Sequence, residues 1–171
     1  MDEVLYLKFQ QHAELRALLL GTHPAELIYV ESGDLFWGDG AGDGMNELGN
    51  SLMRVRERFK VLNDTHDIDK KAKGVGAVAP TVRFNGYGEY SGLLFLSPHT
   101  VFYEDELYPT ALHLFEALKF LKHRPDLAGK IRLCEHVEDV AAISAPFAAH
   151  TRHDWGDVAL ATVRPFFLYL R

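Results

Sequence analysis

The chain of 171 residues predicts an α+β fold, and three observations support this class. Apolar residues recur at helical spacing near the start of the chain and again over residues 111–121. Short apolar runs that are typical of strands lie between them, and strands and helices show no regular alternation. Hydrophobic residues make up 47% of the chain, which is enough for a core, and the length favours one domain.

The first half predicts a helix, a strand and a second helix. Leu5 and Phe9 are four residues apart, Leu15 is three and four residues from Leu18 and Leu19, and together they predict one helical pattern that ends at Gly21. A short apolar run over residues 26–31 predicts a strand. A glycine-rich loop over residues 36–46 follows, and helical spacing resumes over residues 48–59.

A connector over residues 60–82, polar and then basic, precedes the second half. From there the pattern predicts strands over residues 94–96 and 101–103. A helix over residues 111–121 follows, with Thr110 as its N-cap. The remaining predictions are short helices over 127–134 and 137–143 and a buried strand or helix end over 165–170.

Composition excludes several classes of protein. The net charge of −6 argues against a nucleic-acid binder that grips phosphate non-specifically. No segment has the ~18 consecutive apolar residues of a membrane span, and the acidic N-terminus is unlike a secretory signal. A single cysteine, Cys134, rules out an internal disulfide and a cysteine-based zinc site. We therefore expect an intracellular protein, cytoplasmic or nuclear, that needs no metal or cofactor.

The glycine-rich loop over residues 38–44 is the first candidate site. Glycines let backbone amides approach a phosphate closely, Trp37 can stack on a flat ring, and Asn46 can hydrogen-bond an amide, ribose or base. The glycine spacing matches neither a P-loop nor a dinucleotide motif. An ordinary surface loop is therefore the alternative interpretation.

Two further candidates carry carboxylates. Glu116 and Lys119 are three residues apart on the predicted helix and can pair, although an exposed pair of this kind contributes only ~0.3–0.5 kcal/mol. In the loop over residues 87–92, Glu89 lies beside hydroxyl groups and can orient a sugar. The alternative is a turn that leads into a strand.

Many of these residues resemble those of one family, the NADAR (NAD and ADP-ribose) superfamily of YbiA-like proteins. Two sets of segments carry the resemblance. The first set resembles the family's C-terminal half and consists of residues 9–20, 26–28, 36–40, 46–49 and 52–56. Its N-terminal half is resembled by residues 87–91, 97–99 and 108–120, and its later tryptophan segment by residues 154–155.

The order of these halves differs from that of the family, which predicts a circular permutation. Residues 1–59 resemble the family's C-terminal half, residues 83–171 resemble its N-terminal half, and residues 60–82 would join the family's usual ends. Permutation is tolerated where the ends of a domain lie close together. We therefore expect one domain over residues 1–171.

The resemblance implies a cleft for an ADP-ribosyl or ribosyl-phosphate ligand and cleavage of an N-glycosidic bond. Family activities remove ADP-ribose from guanine or cleave early riboflavin intermediates. The expected partner is ADP-ribose or ADP-ribosylated guanosine, free or in nucleic acid, with no cofactor. The ligand-binding residues that the resemblance implies are Trp37, Gly38, Asp39, Gly40, Asn46, Gly49, Tyr87, Gly88, Ser91, His113 and Trp155. Arg54, Arg56 and Lys119 are candidates to face the anionic groups.

Leu112 stands where the family's catalytic glutamate is expected. We expect Glu116, one helical turn along, or Glu89 to replace it as acid and base, with Lys119 as nucleophile or electrostatic group. Gly92 also replaces the family's usual asparagine. Three alternatives stay open: a weak or inactive domain that binds ADP-ribose or a nucleotide, a hydrolase of riboflavin intermediates, and an interaction domain with a vestigial cleft.

Overall fold

A computed structural model of the protein describes residues 1–64 and 80–159, and the predictions for the basic run and for residues 165–170 lie outside them. It confirms the α+β class. The helices of the described residues are α1 (Asp2–Gln11), α2 (Ala13–Gly21), α3 (Glu47–Asp64), α4 (Ala111–Ala117), α5 (Pro125–Arg132), α6 (Val140–Ser144) and α7 (Trp155–Ala159). The strands are β1 (Glu26–Tyr29), β2 (Thr81–Phe84), β3 (Val101–Tyr103) and β4 (Glu106–Tyr108).

The chain divides into two units, which we name by their place in the sequence. The central unit is His12–Ser97, and the flanking unit is Met1–Gln11 with Pro98–Arg171. None of the helices in the described part of the chain is long and apolar enough to cross a membrane.

The central unit is built on a parallel pair of strands. β1 and β2 pair from Glu26 with Thr81 to Tyr29 with Phe84, and α3 packs against β1 while α2 packs against α3. The faces that meet carry fully buried leucines, because the helices repeat apolar residues every three to four positions. These leucines are Leu19, Leu27, Leu48 and Leu52.

The flanking unit is built around α4. This helix packs against α1, α5, α6 and the antiparallel hairpin of β3 and β4. A helix that is surrounded on several sides must bury most of its surface, and six of the seven residues of α4 are buried. Polar side chains on α4 are therefore held inside the unit.

Four predictions for the elements were wrong. The helical pattern from Leu5 to Leu19 is broken at His12, whose extended backbone separates α1 from α2. Periodicity misses this break because both helices bury apolar faces. Residues 94–96 form bends and turns after a 3₁₀ turn at Glu89–Leu93, so this apolar run is buried without pairing. β2 begins inside the predicted connector, where the sequence predicts no strand, and α4 ends at Ala117 rather than at residue 121.

Candidate functional site

A carboxylate and an amine lie together at the end of α4. Both oxygens of Glu116 accept hydrogen bonds from Lys119 Nζ, each at 2.7 Å. Ser144 Oγ on α6 donates to Glu116 Oε2 at 2.5 Å. Glu116 is only 6% exposed, whereas the Lys119 side chain is 21% exposed. The predicted pairing is confirmed, and it is a partly buried pair, with a buried carboxylate, rather than a surface ion pair.

The end of α4 explains why these groups meet. Residues 118–121 continue from α4 in tightened turns, and the backbone N–H of Lys119 donates to the carbonyl of Glu116. This geometry keeps the two side chains on one face, as spacing i, i+3 does in a helix. Leu112, one turn earlier on α4, is half-buried and offers no group that can transfer a proton.

Aromatic rings border the lysine. Lys119 Nζ lies 5.8 Å from the ring centre of Phe115 and 5.7 Å from that of Trp155. The two rings also contact each other, with centres 5.0 Å apart. Rings at this distance stabilise the ammonium form through cation–π attraction. Flat aromatic surfaces beside an ion pair can also take up the face of a base.

His113 is held inside the flanking unit. Its Nδ1 lies 2.8 Å from Thr110 Oγ1, and its Nε2 lies 3.1 Å from the carbonyl oxygen of Cys134. A carbonyl only accepts, so Nε2 carries the hydrogen and Nδ1 accepts from the hydroxyl. Burial lowers the pKa of His113 and favours this neutral form. His113 thus anchors the predicted N-cap of α4, which is confirmed, and its ligand-binding role stays a prediction.

The glycine-rich loop of the central unit is held by its own backbone. Asn46 Oδ1 accepts a hydrogen bond from the backbone N–H of Tyr29, and Asn46 Nδ2 donates one to the carbonyl oxygen of Leu27, both at 2.9 Å. Its side chain therefore ties the loop to β1. Only one amide hydrogen of Asn46 remains beyond these two bonds for a ligand.

Close approaches within the chain explain several of the loop's glycines. A Cβ on Gly49 would collide with the carbonyl of Leu27, and one on Gly38 would come within 2.7 Å of the carbonyl of Glu31. Gly40 has a φ of 52°, which favours glycine. The glycines of this loop therefore serve the fold directly, whether or not the loop binds a phosphate.

Asp39 is buried in this loop, and Trp37 is half-buried. Asp39 is 7% exposed, and its Oδ2 accepts from Arg83 Nη2 at 2.5 Å, while its Oδ1 is buried without a hydrogen-bond partner among the described residues. Trp37 is half-buried, with its ring centre 4.8 Å from Phe36 and 5.5 Å from Phe95. The ring is fixed by packing while part of it stays accessible.

The remaining predicted residues of the central unit lie on its surface. Tyr87 is 87% exposed and Glu89 is exposed beside it. Gly88 has a φ of 81°, and its carbonyl accepts from Ser91 Oγ at 2.8 Å. This hydrogen bond shapes the turn and occupies the serine's one donor.

The two arginines proposed for anionic groups have partners within the central unit. Arg54 pairs with Glu47 at 3.2 Å and also donates to Ser51. Arg56 is 4% exposed and donates to Thr22 and to the carbonyl of Ala25. Burial lowers the pKa of Arg56. Arg56 therefore connects α3 to the segment before β1 and does not face solvent.

The structure thus brings the predicted residues together in two groups. Glu116, Lys119 and Trp155 meet in the flanking unit, and the loop residues 37–49 meet in the central unit. Sequence reasoning missed Ser144, because 28 residues separate it from Glu116 and no motif marks it. It also missed Arg83, which lies in the unpredicted strand β2. Within the described residues, no group of three or more histidine, cysteine or acidic side chains is placed to hold a metal ion.

Comparison with known proteins bears on the first third of the chain. Residues 1–60 match the family model of the NADAR domain. N-glycosidase YbiA of Escherichia coli (strain K12) is 52% identical over 62 residues, which is 36% of this chain and 39% of YbiA. N-glycosidase Npun_R5314 of Nostoc punctiforme is 43% identical over 63 residues, again 36% of this chain and 40% of that protein. The resemblance to the NADAR family is therefore confirmed for this segment.

A further relative matches over a smaller share of its own length. Riboflavin biosynthesis protein PYRR, chloroplastic, of Arabidopsis thaliana is 38% identical over 60 residues, which is 10% of that protein. The chain spans about two fifths of the length of the YbiA-type relatives that it matches. No solved structure matches the chain.

Proposed function

We propose that this protein is an N-glycosidase that cleaves the bond between ribose C1 and a base nitrogen. Its proposed substrate is ADP-ribosylated guanine, as a nucleoside or in nucleic acid. The observation that carries the proposal is the buried Glu116 carboxylate, held by Lys119 and Ser144 beside two aromatic rings. The NADAR match and the names of the YbiA-type relatives support the reaction class.

The cluster supplies the groups that this reaction needs. Breaking the C1–N bond leaves its electron pair on the base and positive charge on the ribose. The Glu116 carboxylate stabilises that charge, and the Lys119 ammonium gives its proton to the departing base nitrogen. The resulting amine captures C1 or activates the water that hydrolyses it, and Lys119 regains a proton from that water. Trp155 and Phe115 shield the reaction from bulk solvent.

Glu116 takes the role that Leu112 cannot fill. It lies one turn further along α4, its charge is balanced by Lys119, and Ser144 fixes one of its oxygens. Glu89 is the other carboxylate considered, and it is exposed in the central unit. An exposed carboxylate is strongly hydrated and less effective at stabilising a developing cation. We therefore assign the main role to Glu116.

The test is incubation with ADP-ribosylated guanosine, with free ADP-ribose measured by mass spectrometry. We expect release by the unaltered protein and a loss of about 10²–10³-fold in Glu116→Gln, the range typical when one group that stabilises transition-state charge is removed. Glu138→Gln, an exposed glutamate in the same unit, serves as matched control and should keep full activity. Full activity in Glu116→Gln would overturn the assignment, and a loss in Glu89→Gln alone would move the role to that residue.

Leu112 favours a second candidate function, binding of ADP-ribose without hydrolysis. Calorimetric titration with ADP-ribose, run beside the mass-spectrometric assay, separates the two functions. Binding without release would make the protein a reader of ADP-ribose, and restoring the carboxylate in Leu112→Glu should then create hydrolysis. Release by the unaltered protein would exclude this candidate.

We further propose that the order of the two halves is permuted relative to the YbiA-type relatives. Support comes from the confirmed resemblance at the start of the chain and from the resemblance of residues 83–171 to the family's N-terminal half. A crystal structure of this protein superposed on YbiA tests the proposal. Permutation requires residues 1–59 to superpose on the C-terminal part of YbiA, and superposition on its N-terminal part would refute it.

A further inference from the structure

A basic pocket lies in the flanking unit, between the turns that follow α4 and the segment that precedes α7. Its volume is about 510 Å³, within the range of small-molecule sites. The ionisable side chains that line it are those of Lys122, His123, His150, Arg152, His153 and Asp154. Five of these six are basic, although acidic residues outnumber lysine and arginine in the chain by 24 to 18. This local excess of basic groups marks the pocket as a candidate site for an anion.

Arg152 is oriented within this pocket. Its Nε and Nη2 donate to the two oxygens of Asp154 at 2.5 and 2.7 Å, and these bonds hold the pKa of Asp154 down at about 2. A guanidinium has five N–H groups, so three remain beyond this pair. A paired and oriented guanidinium of this kind presents its remaining donors in a fixed fork, which suits phosphate oxygens.

The ring of His123 is held by a hydrogen bond to the backbone of the pocket. Its Nε2 lies 2.5 Å from the carbonyl oxygen of His150, and because a carbonyl only accepts, Nε2 carries the hydrogen. Lys122 and Arg152 are positive and Asp154 is negative at neutral pH. The formal charge of the lining is therefore +1 with neutral histidines.

The pocket adjoins the carboxylate–amine cluster. The backbone N–H of Arg152 donates to the carbonyl of Lys119 at 3.0 Å, and Trp155 follows Asp154 directly. A ligand whose ribose lies at Lys119 can therefore extend its phosphate groups into the basic pocket. The alternative use of a histidine cluster, a metal site, has no suitable ligand group among the described residues.

We propose that this pocket binds the diphosphate group of a nucleotide-type ligand. The inference rests on the proposed function for the identity of that ligand, but the chemistry of the pocket, a diphosphate held by basic side chains, can be tested alone. Arg152 and Lys122 supply positive charge, and the three histidines supply ring N–H donors.

The experiment is calorimetric titration of the unaltered protein with pyrophosphate, ADP and adenosine at constant ionic strength. We expect pyrophosphate and ADP to bind with dissociation constants below about 1 mM, and adenosine to bind at least tenfold more weakly than ADP. Absence of pyrophosphate binding at millimolar concentration would overturn the proposal.

Two variants locate the site. Lys122→Met and His153→Gln change exposed side chains of the pocket, and each should weaken pyrophosphate binding about tenfold. Lys130→Met and His136→Gln change exposed side chains of the same types outside the pocket and should leave binding unchanged. Equal affinities in all four variants would refute the assignment of the pocket.

The experiments distinguish failure of the pocket proposal from failure of the proposed glycosidase function. Pyrophosphate binding that depends on Lys122 and His153, with no release of ADP-ribose, would uphold the pocket and reject the glycosidase. Release of ADP-ribose with unchanged KM in both pocket variants would uphold the glycosidase and reject the pocket. A rise in KM in these variants at nearly constant kcat would support both.

Discussion

The glycine-rich loop of the central unit and the carboxylate–amine cluster of the flanking unit use their polar groups in opposite ways. In the loop, Asn46 is bonded to backbone atoms of β1, and Gly49 allows α3 to approach the same strand. In the cluster, the Glu116 carboxylate is bonded to side chains, those of Lys119 and Ser144. Side-chain partners can exchange for a substrate without disturbing backbone pairing. We therefore expect changes in the cluster to affect activity first and changes in the loop to affect stability first.

The largest expected loss of stability and activity follows substitution of Lys119, the cation of the ion pair. Lys119→Met leaves a carboxylate that is 6% exposed without its cation. We expect destabilisation at the lower end of the roughly 3–5 kcal/mol typical of a broken buried pair, because the lysine side chain is partly exposed. Activity should fall about 10²–10⁴-fold, since the proton donor is lost. Urea denaturation and the ADP-ribose release assay measure the two effects.

The double variant Lys119→Met/Glu116→Gln separates these two losses. Removing the carboxylate charge as well should recover most of the stability, because no buried charge is left without a partner. Activity should stay as low as in the single variant. Recovery of activity together with stability would contradict a chemical role for the pair, and Lys130→Met supplies the exposed control in the same unit.

The second largest effect is expected from a substitution in the glycine-rich loop, which should lower the free energy of unfolding without a direct effect on activity. Gly49→Ala places a methyl group against the carbonyl of Leu27, which is backbone and cannot rotate away. We expect a loss of at least about 1–3 kcal/mol, the usual cost of overpacking. In Gly21→Ala the new Cβ meets nothing within 4 Å, so this matched change should be neutral or slightly stabilising. Equal unfolding free energies for the two variants would disprove the close approach.

The carboxylate–amine cluster and the glycine-rich loop also differ in how much of each the sequence predicts. Spacing i, i+3 predicts that Glu116 and Lys119 meet, because a helical turn fixes that contact locally. The burial of the pair and its bond to Ser144 depend on how α6 packs on α4, which no local spacing encodes. The glycines predict an unusual loop, yet the atoms they approach belong to β1 and to the loop itself. Sequence thus predicts local contacts and the reaction class, and tertiary packing decides which groups are free to react.

A smaller effect is expected from Asn46. Asn46→Ala removes one partner from the N–H of Tyr29 and one from the carbonyl of Leu27. Each backbone group that is left without a partner costs about 1–3 kcal/mol when it is buried, and less where water can reach it. Asn50→Ala removes a single exposed bond to Met45 and should cost a few tenths of a kcal/mol. A larger loss in the Asn50 variant would show that the loop is not held through Asn46.

The smallest predicted effect is a pH dependence from His113. Burial lowers its pKa in the folded protein, so below pH 6.5 the unfolded chain binds a proton more readily than the folded one. The stability that the neutral imidazole contributes is therefore complete above pH 6.5 and is lost as the pH falls. One such group changes the free energy of unfolding by at most about 1.4 kcal/mol per pH unit.

Between pH 6.5 and 5 this slope can be read with little interference from Asp126 and Asp154. Both have a pKa of about 2 in the folded protein, so they affect stability mainly below pH 4. His113→Gln should be less stable at pH 7, because the bonds to Thr110 and Cys134 are altered, and it should show a flatter slope over this interval. His136→Gln, an exposed histidine in the same unit, should keep the slope of the unaltered protein. An unchanged slope in His113→Gln would mean that His113 is accessible to protons in the folded state, and it would then return to the group of ligand-binding candidates.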